Sequence, residues 1–132
     1  MRDEEGILDT SVVIDLAETQ PEDLPKQPAI TAITLAELSV GPLAAHNETD
    51  RATRQTHLQQ AEADFDPLPF DAASARAFGA VASQLRQAGR KRAARAYDAL
   101  IAATAISQSL PVYTKNPDDF EGIEGLVVRA VD

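Results

Sequence analysis

Apolar positions along the chain come in short runs divided by polar stretches, and the runs predict alternating strands and helices. Ile7 and Leu8 predict a strand near 6–9, and Val12, Val13 and Ile14 continue into a helix near 11–18. TQPEDLPKQP (19–28) holds three of the eight prolines and reads as a surface loop. AITA (29–32) reads as a second strand, followed by a helix over about 35–45. From His46 to Phe65 the chain is polar, with Leu58 and Ala61 at helical spacing, as in an exposed amphipathic helix. PLPF (67–70) reads as a strand or its edge. Asp71 caps an alanine-rich helix that ends near Gly89. A buried helix is expected over about 95–109, and LPVYTKN and LVVRAV supply the last strands. This alternation predicts an α/β fold, a parallel sheet covered on both faces, in one domain spanning 1–132. Such sheets bind ligands beyond the carboxyl ends of their strands. Asp9 falls at that end of the first strand.

Composition narrows the chemistry. Twelve basic and 21 acidic residues give a net charge of −9, which argues against nucleic-acid binding by bulk charge. A local basic patch, or a site where metal ions bring the positive charge, stays compatible with it. The absence of cysteine rules out disulfides and thiolate metal sites. No apolar run approaches a membrane span, and MRDEEG lacks the layout of a signal peptide, so a cytoplasmic location is expected.

Four acidic residues stand out by context. Asp9 interrupts an apolar stretch, and with Thr10 and Ser11 beside it an N-cap is the plain reading. Glu37 lies three residues after Thr34, which fits a capping box. Asp98 is the only charged residue from Ala96 to Ile106 and shares a helical face with Ile101, Ala102 and Ala105. An acid there needs a specific partner, either Arg95 one turn earlier or a ligand. Asp119 follows Thr114, Asn116 and Asp118 in YTKNPDDF, where a turn is the plain reading. Asp118 or Asp119 can serve as the fourth acid. Gathered at one sheet edge, these carboxylates would repel and raise one another's pKa. A divalent cation removes the difficulty. With no Cys, and only His46 and His57 in a polar region, oxygen ligands point to magnesium or manganese. That ion suits phosphodiester hydrolysis.

LDTSVVIDL, TLAELSVG, YDALIAATA and YTKNPDDF resemble, in order and approximate spacing, the four acidic motifs of the PIN domain. The likeness is nearest to the VapC toxins of bacterial type II toxin–antitoxin systems and covers essentially the whole chain. It implies a three-layer α/β/α fold with a central parallel sheet. It implies a Mg2+- or Mn2+-dependent endoribonuclease acting on structured RNA, such as transfer RNA or a ribosomal RNA loop. A homodimer and inhibition by a cognate VapB antitoxin are implied as well. By position, the resemblance makes Asp9, Glu37, Asp98 and Asp119 the catalytic, metal-binding acids. Many relatives carry Asp where this chain has Asn116, whose amide binds water or phosphate without adding charge. Thr10 and Thr114 are similar to residues that orient carboxylates or water, and Ser11 either joins them or caps the helix.

Arg86, Arg90, Lys91, Arg92 and Arg95 place five of the twelve basic residues within ten positions, just ahead of Asp98. They read equally as a solvated helix end or as a rim that contacts RNA phosphates. At 5% aromatic content, an extended base-stacking platform is not expected. Two other classes fit part of the pattern. A phosphorelay receiver domain shares length, parallel sheet and acids at strand ends, but needs an acidic pair where this chain has Asp9 alone. A PIN-fold binding module without catalysis is the other, and the presence of all four acids argues against it.

Overall fold

The computed structural model describes residues 2–89 and 92–132, with 92–95 by backbone alone. Four strands, β1 (Glu5–Leu8), β2 (Gln27–Ala29), β3 (Val112–Thr114) and β4 (Val128–Ala130), form one sheet. Their order is β2-β1-β3-β4 and every pairing is parallel. Among the described residues five α-helices surround it: α1 (Thr10–Val13), α2 (Ala32–Val40), α3 (Glu48–Asp64), α4 (Ala72–Gln87) and α5 (Arg92–Gln108).

Successive strand residues point to opposite faces, and this sorts the core into two halves. Ile7 and Val112 pack with Val81, Leu85 and Ile101 under α4 and α5. Leu8 and Tyr113 pack with Val12, Ile30, Leu38 and Ala61 under α1, α2 and α3. The result is the expected three-layer α/β/α arrangement with a central parallel sheet. Among the described residues no helix is long and apolar enough to cross a membrane.

Several elements differ from the sequence-based expectation. The second strand is Gln27–Ala29, starting within the stretch read as loop and ending at the first residue of AITA, and α2 starts at Ala32 instead of near 35. Thr31, placed by sequence in a strand, is the N-cap: its extended backbone lets its hydroxyl accept from Thr34 N at 3.2 Å. Thr34 therefore sits inside the helix, and Thr34 and Glu37 do not form a capping box. The helix expected over 11–18 stops at Val13, and Leu16–Glu18 is a separate 3-10 turn. The Thr19 hydroxyl holds the Asp15 carbonyl, and Lys115 holds the Asp15 carboxylate. PLPF contributes only an isolated bridge, Leu68 to Thr31. Elsewhere local signals hold: Asp71 caps α4 through Ser74 N at 2.9 Å, and Gly89 follows the helix with φ +77.

Gly6 marks a close approach. A Cβ there would lie 2.7 Å from Tyr113 Cε1 and 3.2 Å from Pro25 Cβ. The Tyr113 ring cannot easily retreat, because its hydroxyl donates to Asp3 Oδ2 at 2.6 Å and Arg129 Nε holds the same oxygen at 2.9 Å. Gly6→Ala is therefore expected to destabilise the fold by about 1–3 kcal/mol, the cost of overpacking. Urea titration checks this; an unchanged midpoint would mean that β1 and Tyr113 shift freely.

Candidate active site

The chain leaves β1 to form β2 on one side and returns to form β3 on the other. Between β1 and β3 the direction of winding reverses, and in open α/β sheets the crevice beyond such carboxyl ends is where ligands bind. Asp9 and Thr114 stand there. Asp9 N donates to Tyr113 O at 3.0 Å, extending the β1–β3 pairing by one residue.

Asp9 is buried, and each oxygen of its carboxylate is held by a hydroxyl. Ser11 donates to Oδ1 at 2.6 Å, and Thr114 donates to Oδ2 at 2.6 Å. Val12 N also reaches Oδ1, at 3.3 Å, so the N-cap reading of Asp9 is correct as well. Both hydroxyls are fixed from behind by the loop that leaves β3. Ser11 Oγ accepts from Lys115 N at 3.1 Å, and Thr114 Oγ1 accepts from Asn116 N at 2.9 Å. Lys115 Nζ then ties that loop to Asp15 Oδ2 and to the Asp132 carbonyl, each at 2.8 Å. Asp9 and the β3 exit loop are thereby one rigid unit.

Glu37, in the second turn of α2, stands near enough to Asp9 for the two charges to act on each other. Thr10 Oγ1 lies 2.7 Å from Glu37 Oε1 and 3.1 Å from Thr34 Oγ1. Burial pushes the pKa of both acids up, and the Asp9 charge adds to the rise at Glu37. Among the described residues, neither Asp9 nor Glu37 is paired with a basic side chain.

Asp98 and Asp119 lie on the flanking elements. The carboxyl end of α5 feeds β3 through a short turn, so α5 runs antiparallel to the strands. Asp98 lies ten residues before Gln108, or about 15 Å along the axis. That rise carries it toward the carboxyl side of the sheet. Its expected buried face is real: Ile101, Ala102 and Ala105 are fully enclosed. Asp98 itself is half-buried. The Arg95 side chain, its alternative partner, lies outside the described residues. Asp119 belongs to the 3-10 turn Pro117–Phe120 that follows β3, and its N–H donates to Asn116 O at 3.0 Å. Asp119 is half-buried and Asp118 exposed. The helix α5 packs against both α2 and this turn.

Among the described residues, no three acidic or histidine side chains converge closely enough to chelate an ion alone. The donor set still fits magnesium or manganese. Such ions are held by one or two carboxylates, with water and substrate oxygens completing the shell. Asp9 and Glu37 are oxygen donors whose charges are costly without a cation.

Of the basic cluster, Arg86 is exposed in the last turn of α4. Arg92 and Arg95 occupy the first turn of α5 by backbone, and Arg90 and Lys91 lie outside the described residues. Sequence reasoning took Thr34 for a cap and did not place its hydroxyl against Thr10. It also missed Lys115. The signal for Thr34 was its spacing of three from Glu37, which places both on one helix face.

A switch point that carries one buried and one half-buried carboxylate, each held by hydroxyls, is the frame of a PIN domain, and the family model for the PIN domain matches residues 6–126. The receiver-domain alternative is thereby set aside. Ribonuclease VapC5 of Mycobacterium tuberculosis is 41% identical over 123 residues, covering 91% of this chain and 88% of that protein. The crystal structure of VapBC-5, a VapBC-family toxin–antitoxin system of the same organism, superposes with a TM-score of 0.83 at 37% identity. The match covers 97% of this chain and 99% of that one. VapBC2 from Rickettsia felis, bound to a DNA fragment from its promoter, matches with a TM-score of 0.77 at 25% identity, over 97% and 99% of the two chains. The chain belongs to the VapC ribonucleases, a family of PIN-domain proteins.

Proposed function

We propose that this chain is the toxin of a type II toxin–antitoxin pair, a Mg2+- or Mn2+-dependent endoribonuclease that hydrolyses structured RNA and is silenced by a VapB-type antitoxin. The observation that carries the reading is Asp9, buried at the switch point with both oxygens held by hydroxyls and no basic partner among the described residues. Asp9 and Glu37 would hold the ion, with Asp98 and Asp119 contributing directly or through water. When bound, a divalent ion supplies Lewis acidity toward the scissile phosphodiester. Ser11 and Thr114 keep the Asp9 carboxylate in one orientation, and Thr10 does the same for Glu37. Asn116 offers an amide to water or phosphate. The half-burial of Asp119 supports it over Asp118 as the fourth acid. The partner reading is supported by relatives solved as VapBC complexes. Homodimerisation and action as one domain over 1–132 belong to the same proposal. Transfer RNA or a ribosomal RNA loop is the proposed substrate, recognised by backbone shape and a few bases. Sequencing RNA 5′ ends after brief induction tests the activity. New ends at one structured site support it, and unchanged ends would leave a PIN-fold binding module.

Arg86, Arg90, Lys91, Arg92 and Arg95 serve RNA binding and not chemistry in this proposal. On a protein of net charge −9, local cations must offset general repulsion of RNA. Replacing Arg90, Lys91 and Arg92 together with alanine should weaken binding at low salt. The slope of log affinity against log salt should flatten by about 2 units for three lost contacts, as fewer counterions are released. Single-turnover cleavage at saturating RNA should change much less. An unaltered salt slope, or a lost rate with normal affinity, would return the cluster to a solvated helix end.

A further inference from the structure

Thr34 is completely buried, and its hydroxyl oxygen lies 3.1 Å from Thr10 Oγ1. The Thr10 hydroxyl links the Thr34 and Glu37 side chains. Thr10 Oγ1 has one hydrogen and two oxygen neighbours, Glu37 Oε1 at 2.7 Å and Thr34 Oγ1 at 3.1 Å. An ionised carboxylate only accepts. Thr10 donates to Glu37 over the shorter contact, and the Thr34 oxygen accepts from the same hydroxyl over the longer one. We infer that Thr34 is a positioning residue for Glu37: its buried hydroxyl holds the Thr10 hydroxyl in place, and Thr10 in turn fixes the Glu37 side chain in its ion-binding orientation.

The rest of the neighbourhood makes this assignment specific. The cap of α2 is supplied by Thr31, which already accepts from Thr34 N, so the Thr34 hydroxyl is not needed to start the helix. Thr10 belongs to α1 and Thr34 to α2, so the chain of hydroxyls also sets the spacing of these two helices. Without Thr34, the Thr10 hydroxyl is free to rotate, and Glu37 loses a fixed donor where its charge is already opposed by burial and by Asp9. The inference rests on the ion-dependent ribonuclease reading above and adds to it a residue that lines no part of the ion shell.

The test is Thr34→Val, which preserves shape and removes the hydroxyl, beside Thr34→Ser, which restores it. Two readouts are needed: thermal midpoint across a manganese(II) titration, and cleavage of bulk transfer RNA. Thr34→Val should need about tenfold more manganese for half the thermal shift, the usual cost of losing a group that orients a ligand. Its kcat should fall with KM nearly unchanged, and Thr34→Ser should recover both. Normal manganese dependence in a folded Thr34→Val protein overturns the inference, as does a Thr34→Ser protein as impaired as Thr34→Val, since packing would then be the cause. Where Thr34→Val does not fold, Thr10→Val cuts the same chain closer to Glu37 and must show the same manganese loss; normal dependence there also overturns it. A wild-type protein that neither responds to manganese nor cleaves RNA sinks the ribonuclease reading, and this inference with it.

Discussion

Replacing Asp9 with asparagine is expected to abolish RNA cleavage, by roughly a thousandfold or more, while leaving the fold intact. The activity loss follows from removing a charge at the point where the sheet, α1 and the β3 loop converge. The stability outcome is a balance. Asparagine keeps one acceptor oxygen for Ser11 or Thr114, and the other hydroxyl loses its acceptor, which costs about 1–2 kcal/mol. Against this, burial opposes the Asp9 charge, and a neutral side chain escapes that opposition. The melting temperature should therefore move little. Asp9→Ala should be clearly less stable, because it leaves two hydroxyls and Val12 N without their acceptor. The pH dependence separates charge from structure. The folded-state pKa of Asp9 is raised, so its contribution to the stability of the metal-free protein is fully present below the ordinary carboxylate value of 3.8. It is lost as pH rises from there through the raised value. Glu37 acts in the same sense from 4.5 upward. Asp9→Asn should show a smaller decline over this window, and wild-type protein with manganese should lose the decline as well. Circular dichroism melts at several pH values, with toxicity on induction, give the answer. A folded Asp9→Asn protein of full toxicity would leave Asp9 as a helix cap alone.

Asp98→Asn should likewise be inactive, and the thermal stabilisation conferred by magnesium or manganese should shrink. A ligand that binds only the folded state stabilises it by RT ln(1 + L/Kd), which grows with the logarithm of ligand concentration L over Kd. A tenfold loss of affinity then removes about 1.4 kcal/mol at high ion concentration. For a chain of this length that corresponds to roughly 3–5 °C. The prediction draws on topology: α5 packs against α2, which carries Glu37, and against the 3-10 turn, which carries Asp119. A neutral isostere leaves the Ile101, Ala102 and Ala105 face undisturbed, so a change in the ion response reports on Asp98 itself. An undiminished shift would assign Asp98 to pairing with Arg95 and remove it from the site.

What the sequence determined by itself was whatever depends on neighbours within about one helical turn. Asp71 starting α4 through Ser74 is of this kind, as are the polar run that became α3 and the buried face beside Asp98. The four acidic motifs were also legible, because their order and spacing survive without coordinates. Tertiary structure decided the rest, because those interactions bridge segments distant in the chain. Thr114 reaches Asp9 across 105 positions, and only the register of β3 against β1 brings them together. Asp15 stops α1 short with its carboxylate in the grip of Lys115. Thr34 read as a cap because Thr31 looked like part of a strand. Once the β-strand ended at Ala29, Thr31 became the cap, and the Thr34 hydroxyl was left to face Thr10 and, through it, Glu37. Local patterns state which groups are available, and the packing of α1 against α2 across the end of the sheet settles which of them meet.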